Sequence, residues 1–166
     1  MGIFDFFKGK SNPFDLDKLL QLDDPTSALV KLDTYLNERS AYGEDLSGLS
    51  DAQKTVLFVE NLEREVNNGG FHQFYWNTSG DYAHETLAGL ITIGALHMAA
   101  ILQQANAVWP SQEVPTNNIT RRHLQETIGP QAEAVWEQCD QQFYAYPDDI
   151  ASLLWAYVKQ HRSAFA

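Results

Sequence analysis

The sequence predicts an all-α protein, a single compact domain of about six to eight helices packed around a buried apolar helix. Three observations carry that prediction. Apolar residues recur at intervals of three and four along most of the chain, the period of one helix face. Helix start and stop signals punctuate the sequence, and no segment shows sustained apolar–polar alternation between hairpin turns.

Residues 1–14 read as a loosely attached arm, with Phe4, Phe6 and Phe7 available for docking on the same or a neighbouring subunit; residues 15–166 form the domain. Leu16, Leu19, Leu20 and Leu22 make a short apolar stripe. Asp24 is then a natural N-cap with Pro25 at the first position of a second helix, which carries Leu29, Leu32, Tyr35 and Leu36. A polar loop follows. Ser50 and Gln53 have the spacing of a capping box, so a third helix starts there and turns Val56, Val59, Leu62 and Val66 inward.

Asn67-Asn68-Gly69-Gly70 predicts a corner, because Gly and Asn tolerate positive φ, and Phe71 to Trp76 then makes one or two helical turns. From Asp81 to Trp109 the chain is apolar on nearly every face, which predicts one buried central helix. Gly94 within it implies close packing or a local bend. After a loop, Arg121 and Arg122 open a short helix ending near Gly129-Pro130. Another helix carries Ala134, Val135, Trp136 and Cys139, and Pro147-Asp148-Asp149 starts the last, with Ile150, Leu153, Leu154, Tyr157 and Val158 facing inward.

The net charge is −11. An excess of that size repels nucleic acid and attracts basic partners over a range that salt screens, so a direct nucleic-acid binder is disfavoured. The single Cys139 excludes an internal disulfide framework and a multi-cysteine zinc module. The first ten residues lack the pattern of a signal peptide, and no stretch approaches the length of an apolar membrane span. These features together lead to the expectation of a cytoplasmic protein without membrane association.

The stretch from Glu60 to Gly80 joins a charged helix to an aromatic cluster through two turns. Its chemistry is that of a backbone corner and packing centre, in which a buried Gln73 or Asn77 bonds to backbone groups left open at helix ends. His72, His84 and His97 lie nearby. The thirteen residues from His84 to His97 do not give the i, i+4 pair of a metal-binding helix, and neither a metal nor a cofactor is expected. No sequence neighbour of Cys139 is a cation that would lower its pKa. An enzymatic or ligand-binding cleft formed by Tyr75, His84 and Glu85 is therefore a minor alternative.

The run NNGGFHQFYWNTSG resembles the motif of a family of acidic bacterial DNA-mimic proteins, with matching positions at Asn68, Gly69, Gly70, Phe71, Gln73, Phe74, Asn77 and Gly80. The likeness extends over roughly residues 50 to 165. It implies an all-helical domain, a homodimer, and acidic side chains that stand in for DNA phosphates on the DNA-binding face of a basic protein such as a transcription regulator. The candidate partner-binding acids are Asp33, Glu38, Glu44, Asp45, Asp51, Glu60, Glu63 and Glu65, and Glu126, Glu133, Glu137, Asp140, Asp148 and Asp149 make a second patch. Opposite charges at helical spacing, such as Glu60 with Arg64, compete with that role. An immunity or antitoxin protein that neutralises a basic toxin is the alternative of the same broad class.

Overall fold

The computed structural model describes residues 14–166, so the expected docking of Phe4, Phe6 and Phe7 lies outside the described residues. Among the described residues the chain forms eight α-helices and no strand. They are α1 (Leu16–Leu19), α2 (Pro25–Arg39), α3 (Asp51–Trp76), α4 (Ala83–Ile93), α5 (Leu96–Asn106), α6 (Asn118–Thr127), α7 (Pro130–Tyr144) and α8 (Ile150–Gln160), with short 3-10 turns at Thr78–Tyr82, Pro110–Gln112 and Arg162–Ala164. The predicted all-α class is what the chain adopts.

Local chemistry sets most of the helix starts. The Asp24 carboxylate accepts from the Ser27 amide at 3.0 Å, with Pro25 in the first turn where its missing N–H costs nothing. The capping box at α3 closes in both directions: the Gln53 amide donates to Ser50 Oγ at 3.2 Å, and the Ser50 amide donates to Gln53 Oε1 at 2.9 Å. Asn117 and Asp149 cap α6 and α8 from one side, accepting from the Thr120 and Ser152 amides, both at 3.0 Å.

Helix α3 occupies the centre, packed against α2, α4, α6, α7 and α8. Its predicted stripe of Val56, Val59, Leu62 and Val66 is fully buried. The aromatic cluster is also interior: Phe71, Phe74, Tyr75 and Phe143 are fully buried, and Tyr75 packs against the Trp109 and Trp136 rings at 5.3 and 5.1 Å, which also touch each other at 5.7 Å. The Trp136 indole donates to Ala105 O at 3.1 Å, which satisfies its one polar atom.

The expected single helix over Asp81 to Trp109 is instead two. Gly94 adopts a left-handed φ of 86°, and the Ala95 amide reaches back to Leu90 O at 2.9 Å to close α4. A Cβ at Gly94 would meet nothing within 4 Å. Conformation, then, and not close packing, is what glycine supplies here. The break leaves Ile91 and Leu96 more than half exposed, so this segment is not buried on every side.

Candidate functional site

The corner after α3's long first part is built from a remote carboxylate. Gly69 and Gly70 leave helical geometry, Gly70 at a positive φ of 70°, and the helix restarts at Phe71. The Phe71 amide donates to Asp140 Oδ1 of α7 at 2.7 Å, so Asp140 acts as the N-cap of the restarted turn. A Cβ on Gly70 would lie 2.8 Å from the Asp140 carboxyl carbon, so the carboxylate needs glycine beneath it. Burial raises the Asp140 pKa, against the lowering effect of that amide.

The other end of the motif is closed by α6. Arg121 is 0% exposed and donates from Nε to Tyr75 O at 2.6 Å, from Nη1 to Pro115 O at 2.7 Å, and from Nη2 to Asn77 O at 2.8 Å and Asp81 Oδ1 at 2.6 Å. Arg122 Nε donates to Trp76 O at 2.7 Å and Gln125 Nε2 to His72 O at 2.8 Å. The open carbonyls at the end of α3 are thus met by side chains from one short helix. Gly80 packs so closely that an added Cβ would sit 2.7 Å from Arg121 Nε and 2.9 Å from Phe74 O. Phe71 and Phe74 belong to the core, while Asn68 is exposed.

Glu65 is engaged inside this corner. Its Oε2 accepts from Gln73 Nε2 and Asn77 Nδ2, both at 2.8 Å. Sequence reasoning placed Glu65 among partner-facing acids and sought backbone partners for the two amides; the structure joins the three side chains to one another.

A second acidic group lies where α2, α3 and the turn before α8 meet. Asp33 pairs with Arg64 at 2.8 Å and accepts from Asn37 Nδ2 at 2.7 Å, so the competitor for Arg64 is Asp33 of α2 and not Glu60 one turn away. Burial nonetheless raises the Asp33 pKa above its usual value, outweighing Arg64. The Tyr146 hydroxyl donates to Glu63 Oε1 at 2.8 Å and accepts from Asn67 Nδ2 at 2.7 Å. Burial, reinforced by the charges of Glu63 and Asp33, pushes Glu60 up to about 8. At neutral pH its carboxyl is therefore mostly protonated and adds little to the surface charge.

The remaining acids of the first group are exposed. Glu38 and Glu44 have no ion-pair partner among the described residues; Asp45 accepts from the Ser47 amide at 2.9 Å, and Asp51 lies 3.5 Å from Lys54. In the second patch Asp148 binds His97 Nδ1 at 2.8 Å and the Met98 amide at 2.9 Å, and Asp149 caps α8. Glu126, Glu133 and Glu137 are exposed around a cavity of about 500 Å³ between the end of α3, α6 and α7. His72, Trp76 and Gln125 line it as well. Arg122 Cζ stands 5.2 Å from the Trp76 ring centroid.

Tyr75, His84 and Glu85 do not converge. Tyr75 is fully buried and donates to Asn106 Oδ1 at 2.6 Å, whereas His84 and Glu85 stand exposed on α4. Burial pushes the Cys139 thiol up to about 11, which leaves it protonated at neutral pH. Among the described residues no group of three His, Cys, Asp or Glu side chains is placed to hold a metal, and no helix is long and apolar enough to cross a membrane.

Arg121, Arg122 and Gln125 are the site residues that sequence reasoning missed as such. The one available signal was an Arg-Arg pair in a chain with only 11 basic residues.

No curated protein and no solved structure matches the chain. A family model described as DMP19-like protein matches residues 47–161, which takes in α3 to α8 and the whole corner. With well over half of its length matched, the chain belongs to the DMP19-like protein family.

Proposed function

We propose that the protein is an acidic interaction module that occupies the DNA-binding face of a basic protein, such as a transcription regulator, and competes there with DNA. Membership in the DMP19-like family is the observation that carries this reading, and the resemblance of the run NNGGFHQFYWNTSG to acidic DNA mimics supports it. The net charge of −11 supports it.

Duplex DNA carries one charge per ~1.7 Å of axis with both strands counted, so a mimic needs carboxylates that are exposed, ionised and held on a rigid base. Two groups meet the first condition: Glu38, Glu44, Asp45 and Asp51 around the α2–α3 connection, and Glu126, Glu133 and Glu137 on α6 and α7. Asp33, Glu60, Glu63, Glu65 and Asp140 serve the rigidity, because their carboxyl groups are partly buried and most bond within the protein. A homodimer belongs to this reading, since it would double the carboxylates on one face.

The test is a competition experiment. Purified basic DNA-binding regulators from the source cell are bound to a fluorescent duplex and titrated with the protein at low and at moderate salt. Release of the duplex that weakens as salt rises supports the reading. No release by any regulator, or release insensitive to salt, overturns it.

A further inference from the structure

Helix α6 turns Arg121, Arg122 and Gln125 onto the end of α3, and the last of these is left half satisfied. Gln125 is 3% exposed; its Nε2 donates to His72 O, while its Oε1 has no hydrogen-bond partner among the described residues. A buried amide oxygen without a donor is costly, because it gives up its bond to water and gains none in return. Gln125 lines the cavity between α3, α6 and α7, and so do the carboxylates of Glu126, Glu133 and Glu137.

The lining has the chemistry of a cation receptor. Three acids and an amide oxygen offer only acceptors, and the one cationic candidate on the wall is His72, whose Nε2 lies 3.7 Å from Glu133. Trp76 adds an indole that already holds one guanidinium, that of Arg122, which does not itself line the cavity. Pro130 and Ala134 supply an apolar wall along which a methylene stem can lie. The volume of about 500 Å³ is in the range of small-ligand sites.

A guanidinium matches these features better than an ammonium does. Its five donors in a planar fork can serve carboxylates and an amide oxygen together, and its face stacks on an indole. We propose that this cavity receives a guanidinium group, namely an arginine side chain of the basic partner. The identity of the donor rests on the function proposed above; the chemistry of the cavity does not. The site would give the interaction an anchor of defined shape within a surface that otherwise acts through long-range charge.

The test is an NMR titration of the full chain with L-arginine amide, L-lysine amide and L-citrulline amide, whose ureido side chain is the uncharged isostere of the guanidinium. Arginine amide is expected to shift the Trp76 indole and Gln125 side-chain signals saturably, lysine amide to bind more weakly, and citrulline amide to leave them in place. A Glu133→Gln/Glu137→Gln double variant, altered only at exposed positions, should weaken arginine amide by roughly tenfold, and a charge-matched Glu38→Gln/Glu44→Gln variant by less than about twofold. Unmoved Trp76 and Gln125 signals, equal binding of lysine amide, or equal losses in the two double variants would overturn the inference.

The regulator competition separates the two claims. Displacement of DNA that is unchanged in the Glu133→Gln/Glu137→Gln variant removes the arginine anchor and leaves the acidic-surface reading intact. Arginine amide binding without any displacement removes that reading and leaves the cavity.

Discussion

Replacing Arg121 with Met should be among the most damaging single changes in the domain. Methionine keeps much of the apolar stem and removes the guanidinium, which strands Tyr75 O, Asn77 O, Pro115 O and the Asp81 carboxylate. Each stranded carbonyl costs ~1 kcal/mol or more, and breaking a buried ion pair from one side costs ~3–5 kcal/mol. The Asp81 side chain keeps 26% of its surface exposed and regains some hydration, which holds the ion-pair loss to about 3 kcal/mol, and three carbonyls at about 1 kcal/mol each bring the total near 6 kcal/mol. In a domain of this size ~1 kcal/mol shifts Tm by about 2–4 °C, so circular dichroism should show a fall of roughly 12 °C or more. Urea unfolding gives the free energy directly. In a double-mutant cycle with Asp81→Asn, the pair should couple by ~1–3 kcal/mol. A loss below about 1 kcal/mol, with no coupling to Asp81, would refute the view that α6 holds the end of α3 through this side chain.

Asp140→Ala removes the remote N-cap of Phe71 and should cost ~1–2 kcal/mol in urea unfolding; a neutral result would show that the corner stands without α7. Glu60 gives a pH dependence of defined sign. Its pKa is raised from 4.5 to about 8, so the folded state holds a proton that the unfolded chain releases, and stability should fall as pH rises from about 4.5 to 8 by up to ~1.4 kcal/mol per pH unit. Glu60→Gln should flatten that slope, equalling the parent near pH 5 and exceeding it at pH 8; parallel curves would remove the shift. Cys139, buried and with its thiol at about 11, should react with a thiol reagent at the rate of protein opening, so fast native-state labelling at pH 7 would contradict its placement.

What the sequence disclosed was what depends on neighbours in the chain. The Asp24-Pro25 cap, the Ser50–Gln53 box and the Val56 to Val66 stripe each follow from residues within a few positions, and each forms as expected. Gly94 was ambiguous because hydrophobicity runs unbroken through it, and apolar pattern carries no information about a φ of 86°. The long-range features had no local signal. Arg121 bonds to carbonyls 44 and 46 positions away, and Asp140 caps an amide 69 positions earlier. For the same reason Glu65 and Asp33 read as free surface charge: their partners Gln73, Asn77 and Arg64 are brought to them by the fold. Gln125 and His72, separated by 53 residues, meet beside the cavity only once α6 lies against α3.

Whether the exposed carboxylates act in place of DNA phosphates is best measured with a regulator held on its duplex, titrated with the parent protein and with a variant in which Glu38, Glu44, Asp45 and Asp51 are changed to their amides. The parent should displace DNA, the variant should do so at least roughly tenfold less well, and the difference should shrink as salt is raised. Displacement by neither protein, or equal displacement by both at low salt, would contradict the proposed role of those acids.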